Sequence, residues 1–247
     1  MAATPPPPIT LAPRNIPQRP DLSWPLLDVG VREFLPMALV PFGIVMLTWS
    51  LVLGFLGWDG PGGGALVTAL QQLALAVPIA LWVRRGAGSL APLGLRRGGW
   101  TRRDVGVGIG MGLVALLASV VVTAITVAIV EAIIGHAYEI PDPGFDQGAW
   151  FWAFAFMAVV MAPVCEEIYF RGFLFQGLRT WWRFAWAGLA SGCSFAFVHV
   201  EPIRFFGLAL TGVIFAAVFE RRRTLVSSMC AHLVLNVVAV GFMIAGR

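Results

Sequence analysis

Seven apolar runs, most of them about the length needed to cross a bilayer, leave this chain few ways to fold. A helix spans the hydrocarbon core with about 20 predominantly apolar residues, in a range of about 17–25. The runs are Leu35 to Trp58, Ala65 to Val83, Val105 to about Ile134, Trp150 to about Leu178, Phe184 to Val200, Phe205 to Phe219 and Leu225 to Ala245. A turn at Pro61-Gly62-Gly63-Gly64 is expected between the first two, and a bend near Pro78 in the second. The expected fold is all-α, a polytopic transmembrane helical bundle of about seven spans.

Composition agrees. Of 247 residues, 58% are apolar and 12% charged, against about 25% charged in a soluble domain. So few charges cannot cover a globular surface, so lipid must solvate much of the exterior. The net charge of +4 comes almost wholly from arginine. The arginines lie between apolar runs and form no separate basic patch, which argues against a nucleic-acid partner.

Their placement orients the bundle. Arg14, Arg19 and Arg32 precede the first run; Arg84, Arg85, Arg96, Arg97, Arg102 and Arg103 lie between the second and third. Arg179 and Arg183 lie between the fourth and fifth, and Arg221, Arg222 and Arg223 between the sixth and seventh. The alternate connections are poor in arginine, and the one with Glu139, Asp142 and Asp146 is acidic. With seven spans, every basic loop falls on one side, expected to be the cytoplasm together with the N-terminus.

Residues 1–34 are expected to form a disordered Pro-rich tail, and 35–247 the membrane domain. The first 25 residues carry Pro5 to Pro8, Pro13, Pro17, Pro20 and Pro25 without an early apolar stretch, and do not read as a signal peptide. Cys165, Cys193 and Cys230 show no paired spacing and read as small core residues in a reduced setting. Gly106, Gly108, Gly110 and Gly112 lie in a membrane run, where glycines four apart let helices approach closely; Gly188 and Gly192 repeat the spacing. Gln71 and Gln72 read as interhelical hydrogen-bond donors, and His136 as a solvated loop residue.

Ionisable groups at membrane depth are costly, so each needs a reason. Glu167 and Arg171 are four apart, share a helix face and can pair. Glu166, five residues before Arg171, is turned about 140° away on an α-helix. One carboxylate is then neutralised and one is left free to act as a general base. His232 and Asn236, also four apart, can donate hydrogen bonds to a shared oxygen. Phe195, four before His199, can pack over its imidazole and hold it. His232 lies about 10 Å from the basic end and His199 some 20 Å, by the rise per residue. The groups meet only if the fourth span runs on to about Leu178 and the helices tilt.

The ordered set Glu166-Glu167-x-x-x-Arg171, Phe195-x-x-x-His199 and His232-x-x-x-Asn236, with Gly172 after the arginine, resembles the CAAX-processing and bacteriocin-processing (CPBP) membrane proteases. That family includes the type II CAAX prenyl endopeptidases. The resemblance covers residues 150–245. It implies an interior catalytic chamber in which Glu166 and His199 activate a water while His232 and Asn236 form an oxyanion hole. It implies an endopeptidase acting on a membrane-anchored protein or peptide, in a bacterial cytoplasmic membrane. The family is often labelled metalloprotease. If a metal is bound, zinc on Glu166, His199 and His232 is the expected set, although no HExxH occurs. The competing reading is a non-catalytic immunity or scaffold protein of the same family. A transporter should show matched interrupted helices in two halves, and the polar groups crowd instead into the C-terminal part.

Overall fold

The computed structural model describes residues 27, 29–54, 61–95, 98–138 and 148–245. Seven helices follow one another: α1 (Val31–Gly54), α2 (Pro61–Ala87), α3 (Arg102–Ile134), α4 (Ala149–Trp181), α5 (Phe184–Phe197), α6 (Phe205–Arg222) and α7 (Leu225–Ala245). Short 3₁₀ turns at Ala91–Leu93 and Pro202–Arg204 join α2 to α3 and α5 to α6. No strand occurs among the described residues. The acidic loop with Glu139, Asp142 and Asp146, the arginines at 14, 19, 96 and 97, and nearly all of the Pro-rich tail lie outside them.

The all-α bundle expected from the apolar runs is the observed fold, with three corrections. Helix α1 starts at Val31, inside the stretch assigned to the tail. The Pro61–Gly64 turn is instead the first turn of α2, where proline's fixed φ and missing N–H suit a helix start. Among the described residues six helices, not seven, are long and apolar enough to cross a membrane. The exception is α5, whose 14 residues reach only about 21 Å. Its apolar run continues to Val200, but the helix stops at Phe197 and a turn covers 198–200. Pro202 accounts for part of this, since a proline disfavours helical backbone in the residue before it. Helices α5 and α6 therefore form a hairpin, and His199 sits in its bend rather than on a span.

Basic ends gather at one end of the bundle, as the arginine pattern requires. Asp104, in the first turn of α3, completes a capping box with Thr101 and accepts from Arg222 at the end of α6 at 2.7 Å. Arg179, at the end of α4, holds Glu220 of α6 with two bonds of 2.9 Å. The Leu225 N–H that opens α7 donates to the Gly94 carbonyl after α2 at 3.3 Å.

The close approach read from the glycine spacing is real on α3. Its buried stripe is Gly108, Gly112, Ala115 and Ser119, and a methyl group at Gly112 would come within 2.6 Å of the Ala231 carbonyl of α7. Of the second pair, Gly192 meets Gly212 of α6, whereas Gly188 faces only Phe184 of its own helix. The rest of α3 is largely open to lipid, with Leu113, Leu117, Val120 and Ile125 all more than half exposed.

Candidate active site

Helix α4 carries the two glutamates, and it is not a plain α-helix. Two π-helical segments interrupt it, Met157–Met161 and Ile168–Phe175. The first has a visible cause. Pro163 lacks an N–H and its ring crowds the carbonyl four residues back, which is that of Val159 inside the π turn. The wider turn lets the helix pass through Pro163 without ending. The second begins directly after Glu167 and contains Arg171. In a π turn residue i+5 lies over residue i, so Glu166 is turned less far from Arg171 than an α-helix would place it.

The expected pair forms all the same. Arg171 Nη1 donates to Glu167 Oε1 at 2.7 Å, with both side chains wholly buried. The guanidinium also donates to the Gly212 carbonyl at 3.3 Å. It is enclosed by the rings of Phe195, Phe215 and Phe170, with centroids 4.7, 5.1 and 5.7 Å from Cζ. Phenylalanine faces are among the few apolar surfaces that attract a desolvated cation.

His232 enters this cluster from α7. A carboxylate can only accept, so Nδ1–H donates to Glu167 Oε1 at 3.1 Å. Nε2 then points at Glu166, 3.8 Å from Oε2. That oxygen is buried and has no hydrogen-bond partner among the described residues. The other oxygen, Oε1, accepts from Gln72 Nε2 of α2 at 2.7 Å. The reading of Gln71 and Gln72 as interhelical donors thus holds, with Gln71 donating to the Val45 carbonyl of α1 at 3.3 Å. That Gln72 reaches the glutamate itself was not legible, because 94 positions separate the two residues.

Phe195 does what its spacing suggests and more. Its ring lies 4.8 Å from that of His199 and 5.5 Å from that of His232, so it stands between the two histidines. His199 donates Nδ1–H to the Phe195 carbonyl at 2.7 Å, which leaves Nε2 as an acceptor. No hydrogen bond or ion pair joins His199 to Glu166; His232 is the histidine nearest that carboxylate. Asn236 donates Nδ2–H to the Ala158 carbonyl at 2.7 Å, within the first π turn. One of its two amide hydrogens remains for another acceptor.

Among the described residues no group of three His, Cys, Asp or Glu side chains that could hold an ion is found, the expected set of Glu166, His199 and His232 included. Cys165 is buried beside Glu166, and Cys193 and Cys230 are half-buried; all three are free thiols. His136 is exposed, as expected of a solvated residue.

The structure thus joins Glu166, Glu167 and Arg171 to His232, where the motifs implied Glu166 beside His199. Residues 148–238 match the family described as Type II CAAX prenyl endopeptidase Rce1-like. This segment is similar to the CAAX-protease family. Among curated proteins and among solved structures, none matches the chain. The segment runs from the N-cap of α4 to two residues past Asn236, so every expected site residue lies inside it and Gln72 does not. Its helices, with the six membrane-length helices among the described residues, make this an integral membrane protein.

Proposed function

We propose that the chain is an intramembrane endopeptidase of the CAAX-processing type, which hydrolyses a peptide bond of a membrane-anchored substrate. One observation carries the reading. Glu166 is buried with one oxygen held by Gln72 and the other unpartnered, facing His232 Nε2 across 3.8 Å. A water between the two can be polarised by both.

In this reading Glu166 Oε2 takes a proton from water as the water oxygen bonds to the scissile carbonyl carbon. The carbonyl π electrons move to its oxygen, and His232 Nε2–H and the second Asn236 N–H stabilise that charge. The intermediate collapses, the C–N bond breaks, and Glu166 returns the proton to the leaving amine. His199, packed on the far side of the Phe195 ring and bonded to the Phe195 carbonyl, is left out of the water activation in this reading. The same reading places the basic end towards the cytoplasm of a bacterial cell and takes a prenylated C-terminus as the substrate class.

A non-catalytic scaffold of the same family has one observation in its favour: His232 and Asn236 each already bond to α4. It gives no purpose to a Glu166 Oε2 that, like Glu167 Oε2, is buried without a hydrogen-bond partner among the described residues and that stands 3.8 Å from His232 Nε2. The discriminating experiment supplies purified protein in proteoliposomes with a farnesylated peptide ending in a CAAX sequence. Mass spectrometry should find the released C-terminal fragment with wild type and none with Glu166→Ala. An intact peptide with both proteins favours the scaffold.

A further inference from the structure

We infer that Gln72, on a helix outside the segment similar to CAAX proteases, is a positioning residue that determines which oxygen of Glu166 is free to work. The inference rests on the reading of Glu166 as the base.

Consecutive residues on a helix point about 100° apart, so Gln71 and Gln72 have different neighbours. Gln71 ties α2 to the α1 backbone. Gln72, 7% exposed, ends on Glu166 at 2.7 Å. Its amide orientation is decided by chemistry, because an ionised carboxylate offers only acceptors and the NH₂ must face it. Gln72 Oε1 then points away, buried and without a partner among the described residues. Leaving a buried amide oxygen unpaired is destabilising. This amide therefore serves the carboxylate at the expense of its own satisfaction.

The restraint matters because of what surrounds Glu166. The terminal torsion of a glutamate is soft and roughly two-fold. The charged or titratable groups facing it are His232 Nε2 at 3.8 Å, the Glu167–Arg171 pair, and the Cys165 thiol beside it on α4. An unrestrained carboxylate would be drawn onto His232 as a closed ion pair, closing the gap in which the water is held. With Oε1 pinned by Gln72, Oε2 stays short of hydrogen-bond distance from the imidazole.

The test compares Gln72→Met, which keeps length and loses the donor, with Gln71→Met, which removes a buried amide from the same helix without touching Glu166. The infrared carboxylate band isolated as wild type minus Glu166→Gln reads the pinning without substrate. Cleavage of an internally quenched farnesylated CAAX peptide reads its consequence. Gln72→Met should shift the Glu166 band and lower kcat by about 10²-fold, the scale of a misplaced reacting group, with KM held. Gln71→Met should leave both unchanged. If Gln72→Met does not fold, Gln72→Asn carries the same expectation, since its shorter amide cannot reach the carboxylate. An unmoved band, or a kcat equal to that of Gln71→Met, overturns the inference. An active Glu166→Gln instead overturns the reading of the base, a result independent of either glutamine variant.

Discussion

Replacing Arg171 by methionine would leave Glu167 as a wholly buried carboxylate without its cation. The structure sets the size of the effect. Both partners have no exposed side-chain surface and lie 2.7 Å apart, so solvent cannot rescue the survivor. Removing one partner of such a pair typically costs about 3–5 kcal/mol. Three phenylalanine rings also lose a desolvated cation, worth about 2 kcal/mol by the larger cation–π values. Part of this is offset because His232 Nδ1 still donates to Glu167 Oε1 at 3.1 Å. We therefore expect about 3–5 kcal/mol, two to three and a half decades in the folded-to-unfolded ratio at about 1.4 kcal/mol per decade. Glu167→Gln strands the arginine and should cost a similar amount. The double variant Glu167→Gln/Arg171→Met removes both charges and should be more stable than either single variant, because apolar replacement of a whole buried pair is often neutral. Reversible unfolding in mixed micelles, run as a double-mutant cycle, reads the coupling directly. Single losses below about 1 kcal/mol, the range of exposed pairs, or simple additivity would refute the assignment of Glu167 as the neutralised carboxylate.

Three further outcomes follow from the same geometry. His232→Ala should insert normally and lose about 10²-fold or more in turnover, the usual loss for one oxyanion donor; near wild-type cleavage of a verified substrate contradicts its role. Gly112→Val should lower thermal stability by about 1–3 kcal/mol, as overpacking does, because its side chain meets the Ala231 carbonyl; an unchanged melting temperature would contradict the α3–α7 contact. Single cysteines at Thr101 and Gly144 should label from opposite sides of the membrane, with Thr101 cytoplasmic, and labelling from one side alone would contradict the topology.

Much of this was legible in the sequence because it is local. The helix runs, the common side of the basic loops, the Glu167–Arg171 pair, the Phe195–His199 stack and the Gly108–Gly112 seam all depend on spacings of three to five residues or on composition. What was not legible depends on departures from the regular helix or on distant pairing. The 140° turn between Glu166 and Arg171 assumed α geometry, and the second π segment reduces it; Pro163 hints only at the first. The end of α5 at Phe197 was hidden because Val198 and Val200 are as apolar as the helix before them, although Pro202 marked the limit. The partners of Glu166 and Asn236, Gln72 and the Ala158 carbonyl, lie 94 and 78 positions away, and no local pattern selects them.

The central claim is that Glu166 is the base and Glu167 its structural neighbour, and one paired measurement addresses it most directly. Wild type, Glu166→Gln and Glu167→Gln would be purified, reconstituted side by side, and assayed for both unfolding stability and cleavage of a quenched farnesylated CAAX peptide. Glu166→Gln keeps the shape and an acceptor for Gln72 but cannot take a proton. It should be about as stable as wild type and lose at least 10²-fold in turnover, the lower end of what a general base contributes. Glu167→Gln should lose stability first and activity with it. A stable, inactive Glu167→Gln beside a poorly folded but active Glu166→Gln would contradict the account.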